Sequence, residues 1–148
     1  MKQISLNNNQ TEAIGQELSR SLKGGDILLL RGELGAGKTT FVKGIARGLG
    51  IKKSVTSPSF ALMNLYKIKN INLVHIDTYR LKNEQELVDI GVEDYLGAPE
   101  NICIVEWPEK IAGLLRDKKT ISVEIAHINE KTREITLLNP KSKISNHK

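Results

Sequence analysis

The chain has 148 residues, of which 39% are hydrophobic and 26% are charged, and its formal net charge is +5 at pH 7. This length suits one domain with a buried core and disfavours two. No segment approaches the ~18 apolar residues of a membrane span, and residues 1–10 lack the apolar stretch of a secretory signal. We therefore expect a cytoplasmic protein without membrane association.

The first third of the chain predicts a helix, a strand and a second helix. Asn9 with Glu12 matches a capping box, and apolar residues then recur at helical spacing from Ile14 to Leu22. Ile27 to Leu30 is a continuous apolar run, which is typical of a strand buried on both faces. Residues 41–49 again show helical spacing, and a glycine-rich segment separates them from the strand.

The middle of the chain alternates strand and helix signals. Residues 60–68 predict a strand that leads into a turn, and Leu73 to Ile76 predicts a second buried strand that ends at Asp77. Residues 83–86 match a capping box at the start of a short helix.

The last third predicts strands again. Ile102 to Val105 is an apolar run that ends at Glu106, and Cys103 within it is expected to be an inert core thiol. Residues 120–125 and 133–138 alternate around a turn, which favours a closing hairpin. We predict a single three-layer α/β domain over residues 1–139, with a mixed, largely parallel sheet, and a basic, disordered tail over residues 140–148.

The glycine-rich segment carries the chemistry. Residues 32–39 read Gly-Glu-Leu-Gly-Ala-Gly-Lys-Thr and match G-x-x-x-x-G-K-[ST] at every fixed position. Glycines let successive N–H groups converge on phosphate oxygens, Lys38 supplies a point charge, and the Thr39 hydroxyl can bind Mg²⁺. A chance match is the alternative, but the flanking strand and helix favour a nucleotide-binding P-loop. No N-K-x-D-like segment for reading guanine is present, which favours ATP.

Two acids lie where a P-loop needs a carboxylate. Asp77 and Glu106 each end a predicted strand, at the carboxyl edge where ligands of open α/β sheets bind. Either could hold Mg²⁺ or orient the attacking water. The alternative for each is an acid that only caps a loop.

Four further residues have two interpretations each. His75, inside a strand, is more consistent with a packed core residue than with a catalytic one. Trp107 either covers the end of the sheet or contacts a partner or substrate. Arg80 and Arg133 are candidates for contacting phosphate, although pairing with surface acids explains them equally well.

Four segments together resemble the bacterial TsaE family, the ATPase component of the machinery for tRNA threonylcarbamoyladenosine biosynthesis. They are Gly-Glu-Leu-Gly-Ala-Gly-Lys-Thr-Thr, Thr-Ser-Pro-Ser-Phe, His-Ile-Asp-Thr-Tyr-Arg-Leu and Ile-Val-Glu-Trp-Pro. The resemblance runs in order from about Thr11 to Arg133. The last three segments are more specific to the family than the P-loop is.

The resemblance implies roles for individual residues. ATP would be held by the loop residues Gly35, Ala36, Gly37, Lys38, Thr39 and Thr40. Mg²⁺ would be held by Thr39 and Glu106, the acid Asp77 would be needed for activity together with Lys38, and Thr11 and Arg133 would lie near the nucleotide.

The segment from Thr56 to Phe60 resembles a switch-like loop of the family, in which hydroxyls sense the γ-phosphate. The alternative is a proline-shaped connection without a moving part. Thr78 stands where the family usually has leucine, and Ser59 where threonine is commoner. Neither difference removes a group that the mechanism needs.

The resemblance also implies partners. The family binds a heterodimer of TsaB and TsaD, in which TsaD modifies adenosine 37 of tRNAs that read codons beginning with A, so tRNA would be contacted indirectly. ATP hydrolysis would reset this assembly and would be slow in the isolated chain. Two other functions remain as alternatives, a small nucleotide or metabolite kinase and a nucleic-acid-binding module suggested by the positive charge. Self-association is left open.

Overall fold

The computed structural model describes residues 1–56, 58 and 62–143, and this part of the chain contains seven strands and four α-helices. In chain order they are β1 (Lys2–Ser5), α1 (Asn8–Ser19), β2 (Ile27–Arg31), α2 (Lys38–Gly48), β3 (Met63–Lys67), β4 (Asn72–Asp77), α3 (Gln85–Asp89), β5 (Asn101–Glu106), α4 (Ala112–Leu115), β6 (Lys119–His127) and β7 (Arg133–Lys143). Short 3₁₀ turns occur at Val92–Asp94 and Pro108–Ile111.

All seven strands form one sheet in the order β1-β7-β6-β2-β5-β4-β3. The four central strands, β6, β2, β5 and β4, run parallel, while β1, β7 and β3 pair antiparallel with their neighbours. In register, Leu30 of β2 and Asp77 of β4 both lie beside Glu106 of β5. Three chain segments therefore leave the sheet together at one carboxyl edge, which is where a ligand of such a sheet binds.

Strand β2 separates two apolar layers. Leu28 and Leu30 pack in one buried cluster with Phe41 and Ile45 of α2, and α1 covers the same face. Ile27 and Leu29 point the other way, because side chains alternate across a strand, and they pack with residues of α3, α4 and the 3₁₀ turns. The predicted three-layer α/β fold, with its mixed sheet and the closing β6–β7 hairpin, is confirmed.

The buried thiol has the inert character that was expected. Cys103 is fully buried in β5, and burial raises the pKa of its thiol to about 11. The reactive thiolate is therefore scarce at neutral pH.

At the start of the chain, the predicted helix cap was wrong and one strand was missed. Helix α1 is capped by Asn7, whose Oδ1 accepts from the Gln10 amide at 2.9 Å, while the Gln10 side chain accepts from the Leu6 amide at 2.8 Å. The capping pair thus lies two residues before the expected Asn9–Glu12 pair, and Glu12 instead forms an ion pair with Arg47 at 2.6 Å. Strand β1 was not predicted at all.

The end of the sheet extends past the boundary expected from sequence. Strand β7 continues to Lys143, beyond the domain limit placed at residue 139, and residues 144–148 lie outside the described part. Among the described residues, no helix is long and apolar enough to cross a membrane.

Candidate functional site

The glycine-rich loop connects β2 to α2 in a conformation that its glycines permit. Gly35 has φ 77° and Gly37 has φ 104°, both in the left-handed region where a side chain is strained. A Cβ on Gly35 would meet no atom within 4 Å, so the loop is open on that side. Helix α2 begins immediately afterwards at Lys38 and directs its positive N-terminal end to the same place.

A cavity of about 610 Å³ borders this loop at the carboxyl edge of the sheet. The residues predicted to bind ATP, to hold Mg²⁺ or to act in catalysis all line it, except Thr11 and Ala36. The lining comprises Asn8, Leu34, Gly35, Gly37, Lys38, Thr39, Thr40, Pro58, Leu62, Asp77, Tyr79, Arg80, Glu106, Trp107 and Arg133.

Thr11 and Ala36 support the loop from within the fold. Both are buried. The Thr11 hydroxyl lies 2.7 Å from the Ser5 hydroxyl, and its methyl group would lie 3.9 Å from a Cβ at Gly37. Contact of Thr11 with a nucleotide stays a prediction.

The ammonium of Lys38 is held close to the loop. Its Nζ donates to the carbonyl oxygens of Gly32 and, at 3.3 Å, of Glu33. It also lies 4.3 Å from the centre of the Trp107 ring, in a cation–π contact. Burial lowers the pKa of Lys38, and the carboxylates of Glu106 and Asp77 oppose that change.

Asp77 stands at the end of β4 in a half-buried position. Its Oδ1 accepts from the Tyr79 amide at 3.0 Å. Burial raises the pKa of its carboxyl above the usual 3.8; the negative charge of Glu106 acts in the same direction, whereas the Tyr79 amide, His75 and Lys38 oppose it. Asp77 therefore holds a proton more readily than an exposed aspartate does.

Glu106 is more deeply enclosed. It is 3% exposed, and its Oε2 lies 2.6 Å from Nε2 of His75. The Thr78 hydroxyl donates at 3.0 Å to the Glu106 carbonyl and at 2.6 Å to the carbonyl of Trp107. Both the carboxylate and the backbone of Glu106 are thus fixed by residues of β4 and its end.

Trp107 forms a wall of the cavity. Its φ of 58° makes it the single non-glycine residue with positive φ among those described, and it follows Glu106 directly. Its ring packs 5.0 Å from the ring of Tyr79. Trp107 therefore lies at the end of the sheet and contacts Lys38, while its contact with a partner or substrate stays a prediction.

Two side chains of the β6–β7 hairpin donate hydrogen bonds to backbone carbonyl oxygens of the P-loop. Nε of Arg133 donates to Ala36 at 2.9 Å, and Nη1 donates to Asn129 and Glu130 in the hairpin turn at 3.1 and 3.0 Å. His127, which the sequence did not single out, donates from Nε2 to the Gly35 carbonyl at 2.6 Å. Arg133 thus lines the cavity while most of its donors bind backbone.

Arg80 lies on the cavity wall and is exposed. Within the described part of the chain it forms no ion pair, so its pairing with surface acids is not observed.

The switch-like segment is only partly described. The Thr56 amide lies 3.4 Å from the Tyr66 hydroxyl, which donates to the Thr56 carbonyl at 3.5 Å, and Pro58 lines the cavity. Ser57, Ser59 and Phe60 lie outside the described residues, so a γ-phosphate sensor stays a prediction.

The oxygen donors of the cavity fit Mg²⁺ held together with a phosphate. Thr39 offers a hydroxyl and Glu106 a carboxylate, which are the hard ligands that Mg²⁺ prefers. Among the described residues, no group of three or more His, Cys, Asp or Glu side chains could hold a metal by itself. This is consistent with an ion that keeps few protein ligands and takes the others from substrate phosphates and water.

Known proteins share both the sequence and the fold. The family model described as "Threonylcarbamoyl adenosine biosynthesis protein TsaE" matches residues 5–135. The chain is 39% identical over 139 residues to the tRNA threonylcarbamoyladenosine biosynthesis protein TsaE of Bacillus subtilis, covering 92% of this chain and 85% of that protein. It is 36% identical over 137 residues to the protein of that name from Treponema pallidum, covering 93% and 99%. The crystal structure of Bacillus subtilis YdiB superposes with a TM-score of 0.77 at 34% identity, covering 93% of this chain and 83% of that one.

Proposed function

The chain belongs to the TsaE family, and from that premise we propose that it is an ATP hydrolase that serves tRNA threonylcarbamoyladenosine biosynthesis. The main support is one cavity at which a P-loop, its Lys38 and the two strand-end acids Asp77 and Glu106 meet. A glycine-rich turn matched by chance has no reason to open onto two carboxylates at the neighbouring strand ends.

The loop and helix α2 supply the phosphate-binding groups. Backbone N–H groups around Gly35 and Gly37 and the N-terminus of α2 offer partial positive charge to phosphate oxygens. The Lys38 ammonium carries three donors, so it can keep a carbonyl contact in the loop while it binds the β- and γ-phosphates. The Trp107 ring packs against that ammonium from one side, and the Tyr79 ring packs on Trp107.

The two acids suit different tasks. Glu106 is enclosed and hydrogen-bonded on one oxygen, which favours a fixed ligand; with Thr39 it would hold Mg²⁺. When bound, Mg²⁺ supplies positive charge that offsets the charge of the phosphates. Asp77 is less enclosed and has a raised pKa, which suits a group that orients the attacking water and accepts its proton.

We further propose that the partner is the TsaB–TsaD heterodimer, with tRNA contacted through it. Leu34 and Tyr79 line the cavity and are 62% and 42% exposed. A partner that covered these two side chains would also close the cavity and exclude water from it, which strengthens electrostatic interactions inside. Hydrolysis would then depend on the assembly, and the nucleotide state would in turn bias the partner contact.

The hydrolase is tested by measuring phosphate release from labelled ATP, with and without TsaB and TsaD. We expect slow release by the isolated chain and faster release in the complex. Lys38→Ala should lose nucleotide binding, whereas Glu106→Ala should keep much of the binding and lose turnover. Lys43→Ala, which changes an exposed lysine on the same helix, is the matched control.

Retained hydrolysis in Lys38→Ala would contradict the proposal. Transfer of label to a nucleoside or metabolite, in place of release as phosphate, would favour the kinase. The partner is tested separately by capture of TsaB and TsaD with ATP, with ADP and without nucleotide, and equal capture in all three would contradict nucleotide-dependent assembly.

A further inference from the structure

A buried histidine lies directly behind the enclosed acid of the site. His75 is in β4, two residues before Asp77, and its side chain is 0% exposed. Its Nε2 lies 2.6 Å from Oε2 of Glu106, whose side chain is 4% exposed. Parallel pairing of β4 with β5, with Asp77 beside Glu106, places the two side chains at this distance.

The imidazole is costly as a packing residue. Leu73, which lies on the same face of β4 as His75, is apolar and fully buried in the cluster that packs against α2. Nδ1 of the imidazole is buried and has no hydrogen-bond partner among the described residues. An unpaired buried polar atom lowers the stability of the fold, so an apolar side chain would pack here at lower cost. The contact with Glu106 is what the imidazole adds.

The proton of this contact can be assigned from the chemistry of the two groups. A carboxylate that binds Mg²⁺ is ionised and only accepts hydrogen bonds, so with Glu106 in this role Nε2 of His75 would carry the proton and donate to Oε2. Nδ1 then keeps a lone pair, which is cheaper to leave unpaired in the interior than a charged N–H group.

We propose that His75 is the positioning residue that sets the orientation of the Glu106 carboxylate toward the metal of the bound nucleotide. The proposal rests on the hydrolase function proposed above. A glutamate side chain has three rotatable bonds, and this one is fixed at its carboxylate by His75 and at its backbone by Thr78. Because Oε2 is held by His75, Oε1 is the oxygen that would bind Mg²⁺. Outer partners of metal ligands typically contribute 10–100-fold to affinity or activity.

The test compares two substitutions of similar size. His75→Leu removes the donor, whereas His75→Gln places an amide N–H near the position of Nε2. We expect His75→Leu to lower kcat by about 10–100-fold and to raise the Mg²⁺ concentration needed for half-maximal activity by about 10-fold. His75→Gln should recover most of both, and wild-type kcat and Mg²⁺ dependence in a folded His75→Leu would overturn the proposal.

Measurements of nucleotide affinity distinguish a positioning role of His75 from damage to the fold. Trp107 is the only tryptophan and touches Lys38, so its fluorescence can follow ADP binding. ADP without Mg²⁺ should bind His75→Leu within about twofold of wild type, while the gain in affinity on adding Mg²⁺ should fall about 10-fold. Equal losses with and without Mg²⁺ would show a structural role only and would overturn the proposal. His75→Asn, which is too short to reach Oε2, replaces His75→Leu if that variant does not fold.

Two further measurements test the contact itself. In a Glu106→Ala background, His75→Leu should cause no further loss of the Mg²⁺-dependent gain, because His75 acts through Glu106. Nitrogen NMR of the three histidines, assigned with His75→Gln, should show the Nε2–H tautomer for His75, and an Nδ1–H tautomer would overturn the assignment. If the wild-type chain neither binds nor hydrolyses ATP, the hydrolase function fails, while the NMR result still decides the contact.

Discussion

At the scale of single residues, the two acids of the site differ because their surroundings differ. Asp77 ends its strand half-buried beside Lys38 and accepts one backbone hydrogen bond. Glu106 is enclosed by His75 and by the turn that Thr78 holds. Buried charge is costly unless it is paired. The half-buried carboxylate of Asp77 should therefore lower the stability of the fold, and its function would be the reason that it is kept.

This cost gives a prediction for Asp77→Asn. The folded-state pKa of Asp77 is raised, so the unfolded chain releases this proton at lower pH than the folded chain does. The stability that the protonated carboxyl contributes is complete below the unfolded pKa and is lost as pH rises through the folded one. Asp77→Asn should therefore melt roughly 1–3 °C above wild type at pH 7, while losing ATP turnover.

Thermal unfolding between pH 3.5 and 8 checks this prediction, because the advantage of the variant should shrink as the pH falls. Asparagine keeps the oxygen that accepts from the Tyr79 amide. The substitution therefore preserves this hydrogen bond and changes only the charge. An unchanged or lower melting temperature at pH 7 would mean that Lys38 stabilises the Asp77 charge more than burial penalises it.

A second prediction concerns Arg133, whose side-chain N–H groups donate to the backbone of the P-loop and of the hairpin turn. If it acts as an anchor, Arg133→Lys should weaken ADP binding about as much as Arg133→Met, since an ammonium cannot make these divergent contacts. A direct role in phosphate binding would instead leave Arg133→Lys close to wild type. Titration of ADP followed by Trp107 fluorescence distinguishes the two roles, and His127→Ala tests the neighbouring contact on Gly35.

The sequence predicted which residues line the cavity better than it predicted the contacts between them. The P-loop pattern and the acids at strand ends are local signals, so Lys38, Asp77 and Glu106 could be found and the structure brings them to one cavity. The His75–Glu106 contact depends on the register between two strands, and no local pattern specifies that register. His127 was missed for the same reason, since it reaches Gly35 from a distant strand.

At the scale of elements, helices α1 and α2 approach closely enough to exclude a side chain. A Cβ at Gly44 of α2 would overlap the carbonyl oxygen of Glu12 in α1. Gly44→Ala gains ~1 kcal/mol of helix propensity, but overpacking costs ~1–3 kcal/mol and sometimes more. The helices must separate, so we expect net destabilisation.

Urea unfolding measures this effect, with Lys43→Ala as the control because that exposed neighbour on α2 gains propensity without a clash. Gly44→Ala should unfold at lower urea than wild type with an unchanged slope. A midpoint at or above that of wild type would show that the two helices can move apart at no cost.

The strands whose signal is local were predicted, whereas β1, which depends on a distant partner, was not. The apolar runs of β2, β4 and β5 are buried on both faces and can be recognised as strands from the sequence alone. Strand β1 has three exposed residues out of four, and it is a strand because it pairs with β7 at the opposite end of the chain. The cap of α1 was misplaced because three consecutive asparagines, residues 7–9, all qualify as N-caps.

At the scale of the whole molecule, the sheet couples the site to the stability of the fold. Strand β2 sends alternate side chains into both apolar clusters and ends in the P-loop. The clusters cannot separate without breaking this strand, so the domain should unfold in one transition. The loop can keep its conformation only while β2 and α2 are folded. Binding of any ligand to the loop is therefore coupled to unfolding of the whole domain.

Nucleotide should therefore raise the melting temperature of the entire domain. A ligand at 100 times its Kd stabilises the folded state by ~2.7 kcal/mol, which corresponds to a shift of roughly 5–10 °C for a chain of this size. Mg-ADP should produce this shift in wild type and in Lys43→Ala, and no shift in Lys38→Ala. Melting curves from Trp107 fluorescence and from far-UV circular dichroism should coincide, because Trp107 follows β5 directly and the helices that dominate the dichroism pack on the same sheet. Two separated transitions, with only the fluorescence one moved by ADP, would mean that the site unfolds independently of the sheet and would refute this coupling.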